Sequence, residues 1–162
     1  MKPHRIHELM HLPLSMEEVF PFFYDVGNMQ SITPCELHYQ VLTPLPMEMK
    51  TGTIVDYRLR LFGVPFNWRS VITYCDPPRK FVDEEVFGPY KMWLHTHNFW
   101  PDGEGTMVED EILYLLPWPP FGEAAYPLVM AELKRILGYR RRRIWDLLVG
   151  DRPGLSAKGR EA

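Results

Sequence analysis

The 162-residue chain is short of the residues that staple small secreted domains, with only two cysteines, Cys35 and Cys75, and no CxxC or Cys/His metal spacing. That excludes a disulfide scaffold and fits a reducing, cytoplasmic setting. Long apolar runs are also absent: nothing approaches the ~18 residues needed to span a bilayer, and no apolar core follows Met1-Lys2-Pro3-His4-Arg5, so neither a membrane-spanning helix nor an export signal is expected. There is no surplus of positive charge, since 18 Lys and Arg face 21 Asp and Glu for a formal charge of −3. A nucleic-acid partner, whose affinity would come from neutralised phosphates, is therefore not expected. Serine is scarce, limited to Ser15, Ser31, Ser70 and Ser156, and none sits in a Gly-x-Ser-x-Gly elbow. Neither cysteine has a histidine at a recognisable spacing, so hydrolysis by an activated nucleophile has no support. Asp102-Gly-Glu-Gly105 is a hairpin turn, lacking the strand–loop–helix context of a phosphate-binding loop.

What remains is the composition of an ordinary globular domain, 46% apolar and 24% charged, enriched in aromatics (14%) and carrying 16 prolines and 9 methionines. One domain over residues 1–149 is expected, followed from Gly150 to residue 162 by a loose tail without apolar periodicity. Residues 4–12 read as a first strand, and Ser15-Met-Glu-Glu18 as a capping box that opens a short helix through Val19, Phe22 and Phe23 despite Pro21. Asp25 to Thr33 forms a second short helical turn that Pro34 stops. Six β-rich segments follow, at 36–43, 53–61, 66–75, 80–87, 90–99 and 106–116, each bounded by Gly or Pro clusters, and they predict an antiparallel meander. Tyr57, Leu59 and Leu61 alternate with Asp56, Arg58 and Arg60, and Trp68, Ser70 and Ile72 with Asn67 and Arg69, so one sheet face is buried and the other wet. A long helix over about 124–148 gathers Tyr126, Val129, Met130, Leu133, Ile136, Leu137, Ile144, Leu147 and Leu148 into one stripe that must lie on the sheet. The expected class is α+β, a curved sheet wrapped around one long helix.

Several segments carry a resemblance: Leu12-Pro-Leu-Ser-Met-Glu-Glu-Val-Phe20, Asp25-Val-Gly-Asn28, Ile32-Thr-Pro34, Gly63-Val-Pro-Phe-Asn-Trp68, Pro77-Pro-Arg-Lys-Phe81, Gly88-Pro89 and Trp93-Leu-His-Thr-His97. They resemble the polyketide-cyclase/dehydrase-like branch of the START/Bet v1-like (SRPBCC) superfamily, over nearly the whole chain to about Leu148. That resemblance implies a helix-grip fold with a cavity between sheet and helix, whose members bind lipids, polyketides, hormones or aromatic metabolites and only in some cases catalyse. The motifs speak for the scaffold and leave the chemistry to individual residues.

Strand 90–99 places His95 and His97 on one face with Trp93 and Phe99, and a hairpin to the next strand makes Asp110 their cross-strand neighbour. A three-residue turn at 88–90 brings Asp83 and Glu85 alongside and directs Phe81 and Phe87 inward, whereas a two-residue turn reverses that face. Three readings compete for this cluster. One is a buried hydrogen-bonded network that lines a polar patch. A second is acid–base catalysis by His95 or His97 oriented by Asp110. The third is a two-histidine, one-carboxylate metal triad. No second shell is visible in the sequence, so no metal and no cofactor are expected. On the terminal helix the basic run is a solvated face except for Arg140, which falls inside the apolar stripe and is expected to reach an acid of the sheet, Asp83, Glu85 or Asp110.

The expected function is binding of an apolar or aromatic small molecule in a cavity lined by Tyr57, Leu59, Trp68, Ile72, Trp93, Ile112 and Tyr114. A meander gathers the apolar connections Phe62-Gly-Val-Pro65, Phe87-Gly-Pro-Tyr90 and Pro117-Trp-Pro-Pro-Phe-Gly122 at one end. There Trp118 and Phe121 either guard a portal, plug the core, or dock the protein onto a membrane or partner. An enzyme of the cyclase/dehydrase type and an adaptor are the alternatives to a binding protein.

Overall fold

The computed structural model describes residues 2–150 and 152. Its elements are β1 (His4–Leu12), α1 (Met16–Tyr24), β2 (Gln40–Val41), β3 (Ile54–Leu61), β4 (Val64–Asp76), β5 (Lys80–Phe87), β6 (Met92–Asp102), β7 (Gly105–Leu115) and α2 (Phe121–Leu148), with 3₁₀ turns at Val26–Ile32 and Cys35–Leu37. The seven strands form one antiparallel sheet in the order β1-β7-β6-β5-β4-β3-β2, a meander completed by β1 on the far side of β7. This is the expected α+β arrangement, and the alternation read in the sequence is what permits it: inward residues of β3 and β4 such as Leu59, Leu61, Trp68 and Ile72 are buried, while Arg58, Arg60 and Arg69 face water.

Three boundaries differ from expectation. The strand at 36–43 shrinks to Gln40–Val41 because the chain after Pro34 coils through Cys35–Leu37 and turns at His38, whose φ is 45°. The sixth strand begins at Met92 and runs to Asp102, since Tyr90 belongs to the turn, where its N–H donates to the Glu85 carboxylate. The long helix starts at Phe121, about a turn early. Apart from Gly150 and Arg152, whose guanidinium lies 3.1 Å from Glu18, the expected tail falls outside the described residues.

The interior falls into two apolar bodies, with Tyr57 packed against both. One apolar body joins α1, the first 3₁₀ turn and the end of α2 through Phe20, Phe81, Phe99, Val108, Ile144 and Trp145. A second joins the middle of α2 to the opposite half of the sheet through Trp68, Trp93, Ile112, Tyr114, Leu133 and Ile136. Along β6 the inward positions read Trp93, His95, His97, Phe99, so the two histidines sit where one body gives way to the other.

Candidate functional site

The β5–β6 register sets Asp83 opposite His95 and Phe81 opposite His97, and the β6–β7 register sets Asp110 opposite His97. Strand alternation then directs all of these side chains to the inner face. His95 Nε2 is 3.2 Å from Asp110 Oδ1, and His97 Nδ1 is 2.7 Å from the same oxygen. The second contact lies off the ring N–H direction, so it is an electrostatic approach without an aligned hydrogen bond. On the other side, Asp83 Oδ2 lies 3.5 Å from His97 Nε2 and 3.8 Å from His95 Nδ1. The rings pack with centroids 3.9 Å apart, His97 stacks on Phe81, and Trp93 meets His95 edge-on. Ser70 extends the polar layer: its Oγ accepts from the Trp68 indole N–H at 3.1 Å and lies 3.5 Å from Asp83 Oδ1.

Burial alone would drive all four titrating groups toward neutrality. For His95 it does: burial, together with the neighbouring His97, holds the imidazole below its ordinary value against the pull of Asp110. For His97 burial is outweighed by Asp110 and Asp83, which push it up to about 9. Burial also opposes ionisation of both carboxyls, and the imidazoles override it, aided at Asp83 by Arg140, so each lies below the usual carboxylate range. At neutral pH two carboxylates therefore face one imidazolium and one guanidinium, and the buried charges cancel.

This layer forms part of the wall of a cavity of about 170 Å³ between sheet and helix. The sequence-expected residues Tyr57, Leu59, Trp68, Ile72, Trp93, Asp83, His95, His97, Asp110 and Arg140 all line it. Ile112 and Tyr114 do not; they point inward but are closed over, with Tyr114 packed among His4, Tyr90 and Trp93. Glu85 does not either, because its carboxylate curls back into the β5–β6 turn onto the Tyr90 N–H. Trp118 and Phe121 neither line the cavity nor plug the core: Trp118 takes a φ of 50° between two prolines, and the two side chains are 80% and 79% exposed. Phe87, expected inward, is also exposed, since the β5–β6 ladder stops at Glu84 opposite Leu94.

Arg140 faces the cavity, yet no carboxylate oxygen among the described residues lies within ion-pair distance, and its Nε is buried without a partner. The pairing expected with Asp83, Glu85 or Asp110 is therefore replaced by a longer-range attraction to Asp83. Lining residues that the sequence reading passed over include Tyr39, Ser70, Tyr90, Leu133 and Ile136. Ser70 had a signal, a small polar residue alternating with Trp68 and Ile72, and Leu133 and Ile136 lie within two turns of Arg140 on its stripe; Tyr39, in a segment read as strand, had none.

No family model and no curated protein matches the chain. Solved structures do. An aromatase/cyclase, Zhui, from a Streptomyces species superposes with a TM-score of 0.72 at 13% identity, covering 90% of this chain and 93% of that one. Ginseng major latex-like protein 151 from Panax ginseng gives 0.62 at 14%, covering 92% and 99%. A Thermus thermophilus protein gives 0.64 at 19%, covering 89% and 99%. The chain thus has the helix-grip fold of these structures. No helix among the described residues is long and apolar enough to cross a membrane.

Proposed function

We propose that the protein binds a small aromatic or otherwise apolar molecule bearing a polar group, with its rings among Tyr57, Leu59, Trp68 and Trp93 and its polar group against the His95/His97 layer and Arg140. The observation that supports this reading is a mainly apolar cavity that also exposes a charge-balanced polar wall. Magnitudes make both parts necessary. A ligand burying about 200 Å² of apolar surface gains ~5 kcal/mol, whereas micromolar binding needs ~8. The polar wall must supply the difference, and Arg140 Nε is a donor that already lacks a partner. Fluorescence titration with naphthol and naphthoate probes tests the reading, with Trp68 and Trp93 as internal reporters. Saturable one-to-one binding, weakened by Trp93→Ala and by Arg140→Met, is expected; probes that bind equally well to urea-unfolded protein, or not at all, would sink it.

A second reading, acid–base chemistry on a carbonyl compound by His95 with Asp110, is favoured by one geometric fact. The imidazole stands in the cavity wall with Nε2 held by the carboxylate, the arrangement of a positioned proton carrier. Turnover of a polyketide-like carbonyl compound that disappears in His95→Gln, in the presence of a chelator, would establish it over simple binding.

A further inference from the structure

Asp110 Oδ1 lies 3.2 Å from His95 Nε2 and 2.7 Å from His97 Nδ1, so one nitrogen of each ring faces it. The opposite nitrogens, His95 Nδ1 and His97 Nε2, both turn toward Asp83 Oδ2. Three potential ligand atoms converge there, and a cation within the triangle would replace the His97 proton, which metal binding releases. Its dimensions suit a metal ion better than a hydrogen bond. The nitrogen–oxygen edges of 3.5 and 3.8 Å are at or beyond the limit of a useful hydrogen bond. Ligands held tetrahedrally at ~2.1 Å stand about 3.4 Å apart. All three donor atoms lie within 4.8 Å of one another.

We propose that Asp83, His95 and His97 form a binding site for a first-row divalent cation of the zinc or cobalt type, with Asp110 behind both histidines as the residue that orients them. Two imidazoles and one carboxylate are a borderline-soft donor set that selects such ions over magnesium or calcium. Asp110, facing the far nitrogen of each ligating histidine, stands where the outer carboxylate of such a site stands. The three ligands come from two adjacent strands of a rigid sheet, His95 and His97 two residues apart on one face of β6 and Asp83 directly across on β5. All three line the cavity, so the remaining coordination positions open into it, and a bound ion would hold an oxygen atom of whatever enters. The inference stands whether or not the cavity takes an aromatic ligand, because the ion is held by the chain alone.

The test is titration of chelator-stripped, untagged protein with Zn²⁺ and with Co²⁺, without any organic ligand. One ion per chain is expected, held more tightly than by the surface histidines. Cobalt should give the intense visible absorption of a four-coordinate site rather than the faint bands of a hydrated, six-coordinate one. His95→Ala and His97→Ala should each abolish that spectrum. Asp110→Asn should weaken binding by roughly 10–100-fold while leaving its stoichiometry at one. His7→Gln, a substitution at the exposed face of β1, should change nothing. If the histidine variants fail to fold, the cobalt spectrum of the unaltered protein still decides, since the hydrated, six-coordinate ion does not produce it. Absence of binding to the folded protein, or binding that survives loss of both His95 and His97, would overturn the proposal. Either result leaves the aromatic-ligand reading intact, because the naphthol and naphthoate titrations use no added metal.

Discussion

Arg140 shows how far a single residue can be read from sequence and where the reading stops. Its place on the helical wheel correctly directs it toward the sheet, but a wheel carries no distance, and the guanidinium comes to rest beside the cavity short of every carboxylate among the described residues. The stability cost of removing it is accordingly small. Arg140→Met is expected to lose about 1 kcal/mol or less in urea denaturation, because no close ion pair is broken and a buried Nε without a partner is removed. Asp110→Ala should lose about 3 kcal/mol in the same measurement, since both imidazoles approach its Oδ1 inside the protein. Equal losses for the two variants would contradict this account. His95, His97 and Asp110 were legible as one cluster because strand alternation and hairpin parity gather them, whereas Asp83 joined them on only one of two possible turns. The direction in which each ring nitrogen faces was not legible, since it depends on side-chain torsions that no sequence pattern encodes.

Among elements, the β5–β6 turn separates two kinds of expectation. Its register, with Asp83 opposite His95, is the one that a three-residue turn at 88–90 implies, so pairing parity was readable only as one of two alternatives. The early end of the ladder was not, and it is what leaves Phe87 in solvent and frees Glu85 to fold back under the turn. Burial pushes the Glu85 carboxyl up to about 7, tempered by the Tyr90 N–H. The folded state thus keeps a proton that the unfolded chain releases near pH 4.3, so stability should fall as pH rises from that value toward 7 and then level off. Partial exposure of the side chain keeps the effect modest. Denaturation midpoints followed across this window should lose that slope in Glu85→Gln. Gly88→Ala is expected to remove it as well: a β-carbon there would stand 2.5 Å from the Glu85 carboxyl carbon, and that flexible end must swing out to water. A slope retained in both variants would assign the pH dependence to another group. The segment 36–43 failed as a strand for a related reason, because a β-rich composition does not reveal a left-handed residue such as His38 in its midst.

For the whole molecule, the fold was legible almost entire, since periodicity, turn residues and the scaffold motifs all point to one architecture. The cavity was legible only as a tendency. Which inward aromatics leave space and which close it depends on how α2 rests on the sheet, so Trp68 and Trp93 line the void while Ile112 and Tyr114 beside them are sealed. Filling that void tests its role. Leu133→Phe, from α2 into the cavity, should hold or raise the denaturation midpoint while weakening naphthol binding at least tenfold; undiminished binding would place the ligand elsewhere.

The histidine–aspartate layer has one more consequence, for motion. The body formed by Phe20, Phe81, Phe99 and Trp145 meets the one formed by Trp68, Trp93 and Leu133 at this layer, with Tyr57 packed against both. Backbone amide exchange should then sort into two groups with different opening energies, protons near Trp145 outlasting those around Leu133, where the helix roofs the void. On that outcome the roof over the void would open without melting the rest, with the charged layer as the seam.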